Sequence, residues 1–223
     1  MAPTNPTVLT LQKMPYDMLS LIVSKVGATS SVDYVNTILT CKKLNISFDN
    51  YFVAKDLDLQ ALVQRPREAN NYKSLMESCL RRNNVDAHYV QGILEYFEGK
   101  NIFIGLHHLR VAARRGHKEG RFIYAVLLMS LGIADKGKKA LTKLTNEHGL
   151  ATVECIWGNV RSSLNGIDLQ MKKVYHQSVA KMTPGPNCHP PELKTACSAC
   201  FHQYFLNEFV NLMMGLQPTV EVL

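Results

Sequence analysis

Two stretches of similar pattern decide the fold: residues 85–99 read VDAHYVQGILEYFEG, and residues 118–132 read KEGRFIYAVLLMSLG. The two stretches align at a constant offset of 33 residues, with acidic, aromatic and glycine positions in register. The matching pairs include Asp86 and Glu119, Tyr89 and Phe122, and Gly99 and Gly132. A period of this length with two helices in each unit is typical of helical solenoids. The sequence therefore predicts a stack of helical hairpins.

The helix that follows each stretch is repeated as well. Gly105 and Leu109 correspond to Gly137 and Leu141, which lie 32 residues later. Three small residues follow in the first unit: Ala112, Ala113 and Gly116. Because small side chains let two helices approach closely, we expect tightly packed antiparallel hairpins.

The composition is that of a globular protein. Of the 223 residues, 46% are hydrophobic and 19% are charged, which argues against disorder. The net charge of +7 and the pI near 9.1 suit nucleic acid, membrane surfaces or acidic proteins as partners, and they do not choose among these classes.

The sequence predicts no membrane segment and no secretory signal. The longest apolar stretch, residues 122–131, is about half as long as the ~20 residues that a membrane span needs. The N-terminus lacks the basic and apolar regions of a signal peptide. We therefore expect an intracellular protein of the nucleus, the cytoplasm or both, without membrane contact and with reduced cysteines.

A short helix is predicted to begin at Met14-Pro15, because proline suits the first helical turn, where its missing N–H would have no partner. Apolar residues then recur at helical spacings and draw a stripe along one side of the helix. They are Met18, Leu19, Ile22, Val23 and Val26. Two further short helical segments are predicted, one from residues 29–31 and one from Cys41. Three such helices in about 40 residues cannot bury much surface alone, so the stripe needs a partner or a neighbouring domain to cover it.

The segments MPYDML at residues 14–19 and TCKKL at residues 40–44 resemble the F-box. They are similar to its Leu-Pro-x-x-Leu-Leu opening and to its later Val-Cys-Lys segment. Met14 stands where leucine is usual and Leu44 where an aromatic residue is common, so both positions stay apolar. The repeated units resemble the Sel-type repeats of the tetratricopeptide superfamily. An F-box, such repeats and a cysteine-bearing tail, in that order, resemble a family of plant F-box proteins.

The resemblance implies a binding function. F-box helices bind the Skp-type linker subunit of SCF ubiquitin ligases and, through it, cullin, while the rest of the chain captures a substrate protein. By this resemblance, six residues would fill the hydrophobic surface of the linker: Met14, Pro15, Met18, Leu19, Ile22 and Val26. The apolar pattern alone leaves an alternative, in which the stripe packs on the chain's own repeats.

The sequence thus predicts an all-α protein, in which a small F-box-like three-helix module precedes a stack of helical hairpins. The predicted segments are a lead-in at residues 1–13, the module at 14–55, a connecting helix at 56–71, the repeats at 72–165 and a tail at 166–223. Pro66 is expected to end or kink the connecting helix. The tail combines a loop with a terminal helix that contains cysteines.

A metal-like cluster is predicted in the tail, where Cys197-x2-Cys200 has the spacing of a zinc half-site and Cys188 lies nearby. The candidates for a fourth ligand are His202, His189 and Cys155, although His202 follows Cys200 by only two residues. The alternative is that the cysteines are small buried hydrophobes on a helix that runs into aromatic residues. We therefore expect no cofactor, with zinc at Cys188, Cys197, Cys200 and His202 as the open alternative.

A basic run surrounds the turn between two repeat helices. It comprises Arg110, Arg114, Arg115, Lys118 and Arg121, and Lys136, Lys138, Lys139 and Lys143 follow one repeat later. This face could bind an acidic ligand or nucleic acid, or it could simply be solvated. Because no aromatic residues that could stack on bases are interleaved with the run, a nucleic-acid partner is disfavoured.

No catalytic motif is present. The sequence lacks a zinc-protease motif, a nucleophile elbow and a phosphate-binding glycine loop. His107 and His108 are adjacent and would point about 100° apart on a helix, so they cannot easily share one ion. We therefore predict an adaptor and not an enzyme. The alternatives are a repeat scaffold whose N-terminal helices cap the stack, and a basic nucleic-acid-binding protein.

Overall fold

The computed structural model describes residues 11–99, 101–185, 188, 193 and 196–216. Within these residues the chain is helical and has no β-strand, so the predicted all-α fold is confirmed. Short 3-10 helices span Leu11–Lys13 and Pro66–Asn71. The α-helices are α1 Tyr16–Thr29, α2 Ser31–Thr40, α3 Tyr51–Asp56, α4 Gln60–Gln64, α5 Lys73–Arg81, α6 Val85–Phe97, α7 Ile102–Arg114, α8 Lys118–Ser130, α9 Ala134–His148, α10 Leu150–Leu164, α11 Lys173–Met182 and α12 Ser198–Met213. None of the described helices is both long enough and apolar enough to cross a membrane.

The chain forms two compact units. One unit holds the residues up to 60 together with 70–87, and the other holds 61–69 together with the residues from 88 onward. This division differs from the predicted segments, because α5 packs against α3 and so belongs to the first unit. The predicted tail is likewise part of the second unit, since α11 and α12 pack on α8.

The first unit is built around α1, which packs against α2 and α3. Its inward residues Leu19 and Val23 lie one helical turn apart and are buried. In α2, Tyr34 is the residue that turns inward, and its hydroxyl donates a 2.8 Å hydrogen bond to the carbonyl oxygen of Ile46. This bond fixes the chain that follows α2 against the core of the unit.

The third helix of the first unit does not begin near Cys41, and that prediction is wrong. Residues 41–50 form turns, and the third helix begins at Tyr51. The reason is a capping residue: the side-chain oxygen of Asn50 accepts a 3.0 Å hydrogen bond from the N–H of Phe52. Such a bond satisfies one of the N–H groups that are unpaired at a helix N-terminus, so the helix begins there.

The second unit repeats one helix–helix contact. A methyl group added at Gly105 of α7 would lie 2.5 Å from the backbone nitrogen of Tyr96 in α6. A methyl group added at Gly137 of α9 would lie 2.5 Å from the Cγ atom of Met129 in α8. These residues are the equivalents in the sequence alignment, since 137 − 105 is 32 and 129 − 96 is 33. The predicted repeat and its closely packed hairpins are therefore confirmed.

Helix α8 is the centre of the second unit, with nine buried residues and contacts to α7, α9, α10, α11 and α12. Phe122 of α8 stacks on Trp157 of α10 and meets Phe205 of α12 edge to face. The α8 helix is apolar nearly all round because it is enclosed by other helices. The last helix is thereby attached to the repeats.

Replacing Gly105 or Gly137 by alanine is expected to destabilise the protein by about 1–3 kcal/mol, because the methyl group has no room against the facing helix. Gly158→Ala is the matched control, since Gly158 lies within α10 and has no atom within 4 Å of an added methyl group. That control is expected to be neutral or to stabilise the helix by up to about 1 kcal/mol. Urea unfolding of the three variants measures the difference. Equal free energies of unfolding for all three would contradict the repeated contact.

Candidate functional site

The first unit exposes large apolar side chains on α1 and α2. We call this set the N-terminal apolar surface: Met18, Leu21, Ile22, Val32, Val35 and Leu39. Their exposed fractions lie between 40% for Ile22 and 76% for Leu39. A group of exposed apolar side chains of this size on a small unit is typical of a protein-binding surface.

The six residues predicted to bind a partner differ in how exposed they are. Pro15, Met18 and Ile22 are exposed, and Met14 and Val26 are partly buried. All five can therefore contribute to a surface, with the exposed three offering the larger area.

Leu19, the sixth of these residues, is only 3% exposed, so its predicted role as a docking residue is wrong. It lies one turn before Val23 and two turns before Gly27, on the side of α1 that faces the core of the unit. An added methyl group at Gly27 would lie 3.1 Å from the Cδ1 atom of Leu57. Leu19 therefore packs in the core of the unit and stabilises it.

The α2 residues of the N-terminal apolar surface were absent from the predicted site. Val32, Val35 and Leu39 follow one another at spacings of three and four and so share one face of the helix. This spacing is the feature of the sequence that indicates a shared apolar face on α2. The spacing alone does not say which face meets the core, and here it is Tyr34 that does so.

A basic groove lies in the second unit between the repeat helices. It has a volume of about 500 Å³, and its charged lining comprises Arg110, Arg114, Arg121, Lys143 and Glu147. The Glu147 carboxylate lies 2.6 Å from a guanidinium nitrogen of Arg121, and this hydrogen bond lowers the pKa of Glu147. Four cationic side chains and one carboxylate therefore line the groove, which has a net positive charge.

The predicted basic face is thus divided. Arg110 and Arg114 line the groove, while Arg115 and Lys118 are exposed and do not line it. Tyr124 also lines the groove, so an aromatic residue lies near the cationic side chains although none is interleaved with the basic run in the sequence.

The structure brings together the three cysteines predicted as metal ligands. The Cys188 sulfur lies 3.4 Å from that of Cys197 and 3.1 Å from that of Cys200. The three sulfur atoms lie within 4.8 Å of one another. Cys197 and Cys200 lie at the start of α12, and their spacing of three places them on one side of the helix.

His202 does not belong to this cluster, and its prediction as a ligand is wrong. Its Nε2 atom lies 2.9 Å from the hydroxyl of Thr142 and 3.2 Å from the carbonyl oxygen of Lys138. Two positions along a helix are about 200° apart, so His202 points away from the side that carries Cys200. His189 lies outside the described residues, and Cys155 is exposed on α10.

A histidine pair joins two helices of the second unit. The Nδ1 atoms of His88 in α6 and His108 in α7 lie 2.8 Å apart, which requires at least one ring to be neutral. Burial, with smaller contributions from His108, Arg115 and His107, lowers the pKa of His88 to about 4. Burial also lowers the pKa of His108, with His107 adding to the effect and Glu95 opposing it. The pair is therefore neutral near pH 7.

The pair makes stability depend on pH. In the unfolded chain His88 has its ordinary pKa of 6.5, whereas in the folded chain its pKa is about 4. Between these two pH values the unfolded state therefore binds more protons than the folded state. The free energy of unfolding is therefore expected to fall as the pH is lowered from about 7 to about 5. Urea unfolding of wild type and of His88→Asn across this range should give a shallower dependence for the variant. His176→Asn, at an exposed position of α11, is the control and should keep the wild-type slope.

Parts of the chain are similar to known proteins. The family model described as plant tetratricopeptide repeats matches residues 59–163. F-box protein At2g35280 of Arabidopsis thaliana is 39% identical over 144 residues, which cover 65% of this chain and 88% of that protein. Two further Arabidopsis proteins named as F-box proteins, At1g67623 and At1g67340, are 33% and 25% identical over 58% and 59% of this chain. The matches cover 44% and 35% of those two proteins. No solved structure matches the chain.

Proposed function

We infer the function from one premise: this chain belongs to the family of plant F-box proteins that carry tetratricopeptide-like helical repeats. We propose that it is a substrate-recognition adaptor of an SCF-type E3 ubiquitin ligase. In this proposal the N-terminal apolar surface binds the Skp-type linker subunit and, through it, cullin. The repeats of the second unit bind the substrate protein.

The observation that carries this proposal is the N-terminal apolar surface. Met18 and Ile22 of α1 are one turn apart and both exposed, as are Val35 and Leu39 of α2. Exposed apolar residues at a spacing of four are what a helix presents when it docks into a hydrophobic groove. Removing this apolar area from water on binding supplies the driving force.

The protein would act by position and not by catalysis. An adaptor that binds a ligase subunit and a substrate raises the effective concentration of one beside the other. We propose that the chemistry belongs to the other subunits of the ligase, and that the protein works with them in the nucleus, the cytoplasm or both.

The basic groove is our candidate for the substrate contact. Arg110, Arg114 and Lys143 leave it positive, which suits an acidic segment of a protein.

The double substitution Met18→Asp, Ile22→Asp is expected to lower the affinity for a purified Skp-type linker at least about tenfold, because it would bury two unpaired carboxylates in the contact. Both positions are exposed, so the helix content of the full chain should not change. Phe103→Asp is the matched control, since Phe103 is an exposed apolar residue of α7 outside the N-terminal apolar surface. Calorimetric titration of each full-length protein with the linker provides the measurement.

Two results would contradict the adaptor proposal. If folded wild type does not bind the linker, the N-terminal helices cap a repeat scaffold that has no ligase role. If the double variant binds as wild type does, the contact lies elsewhere on the chain. Leu19→Asp is unsuitable for this test, because Leu19 is buried and its substitution would unfold the unit.

A further inference from the structure

Three sulfur atoms converge where α12 begins, and one of them belongs to Cys188, which precedes the helix. Cys188 lies nine residues before Cys197 and twelve before Cys200, yet its sulfur is 3.4 Å and 3.1 Å from theirs. We propose that Cys188, Cys197 and Cys200 bind one zinc ion through their thiolates, and that the ion ties Cys188 to the first turn of α12. The proposal is independent of linker binding.

The distances fit a metal better than they fit a disulfide. Zinc–thiolate bonds are about 2.3 Å long, and tetrahedral geometry then places neighbouring sulfurs about 3.8 Å apart. The two closest pairs here are 3.1 Å and 3.4 Å apart, and all three sulfurs lie within 4.8 Å of one another. A disulfide joins two sulfurs at about 2.0 Å and leaves a third without a role. Small side-chain movements would let all three reach one ion.

Two of the proposed ligands lie at the N-terminus of α12. Cys197 is the residue that caps the N-terminus of α12, and Cys200 lies in its first turn. The backbone N–H groups and the helix dipole stabilise negative charge at this end of a helix. This effect is opposed in the absence of an ion, because a hydrogen bond with the Cys188 thiol and burial raise the pKa of the Cys200 thiol to about 12. A bound cation would therefore be what holds this sulfur as the thiolate that binds metal.

The packing of α12 holds these two ligands in place before any ion binds. Cys200 is buried, and Phe205, just over one turn later, meets Phe122 of α8 edge to face. Because α12 packs on α8 and α11, the start of the helix is fixed relative to the repeats. Preorganised ligands lose little conformational entropy when they bind a metal, so Cys188 is the ligand whose position the ion would set.

The set of three soft sulfur ligands selects the class of ion. Thiolates prefer zinc to the oxygen-seeking magnesium and calcium ions. Three thiolates leave one tetrahedral position for a fourth ligand.

The test is the zinc content of the full-length protein, purified with a reducing agent from cells supplied with zinc. Mass spectrometry of the metal should find about one zinc ion per chain in wild type and less than about a tenth of that in Cys197→Ser, Cys200→Ser. Cys155→Ser is the matched control, since Cys155 is an exposed cysteine outside the cluster, and it should keep the wild-type content. Cys188→Ser should also lose zinc, and it leaves the sequence of α12 intact if the double variant folds poorly.

A second measurement uses cobalt(II) as a spectroscopic probe. Wild type and Cys155→Ser should show thiolate-to-cobalt charge-transfer absorption that zinc abolishes, and Cys188→Ser should show it weakly or not at all. Equal zinc content in wild type and in the Cys188→Ser variant would overturn the proposal, as would zinc-free wild type. A mass lower by two hydrogens in the absence of reductant, together with no bound zinc, would assign a disulfide instead.

Discussion

The structure depends on how α1 divides its apolar residues between two sides. Leu19 and Val23 fill the core of the first unit, while Met18 and Ile22 stand exposed beside them. A unit of this size can bury only one side of such a helix, because its small core has room for few side chains. In our proposal the exposed side is the one that contacts the Skp-type linker. In α2 the division is sharper, since Tyr34 turns inward while Leu39 is largely exposed.

In the second unit, by contrast, α8 is largely enclosed, with nine buried residues. Gly105 and Gly137 allow the neighbouring helices to approach closely, and the contact recurs with the sequence period. The same stacking sets Arg110 and Lys143 around one groove although they come from different helices. A rigid stack with a charged groove is suited to hold a partner, whereas the first unit is suited to attach the chain to a larger assembly.

The sequence predicts the features that repeat or have a fixed spacing. The period of about 33 residues identifies the hairpins, and the spacing of Cys197 and Cys200 identifies two members of the sulfur cluster. It does not predict which side of a short helix is buried, because α1 is apolar on both sides and only packing decides for Leu19. It also does not predict that the His202 ring contacts the backbone carbonyl oxygen of Lys138, since that contact joins residues 64 apart.

The central claim is that the N-terminal apolar surface is the contact for a Skp-type linker. Hydrogen–deuterium exchange of the full-length protein, with and without purified linker, tests it at the level of individual segments. Slower exchange is expected in residues 16–39 on addition of the linker, with residues 118–164 unchanged. Slower exchange in the repeats, with residues 16–39 unchanged, would contradict linker binding at the N-terminal apolar surface.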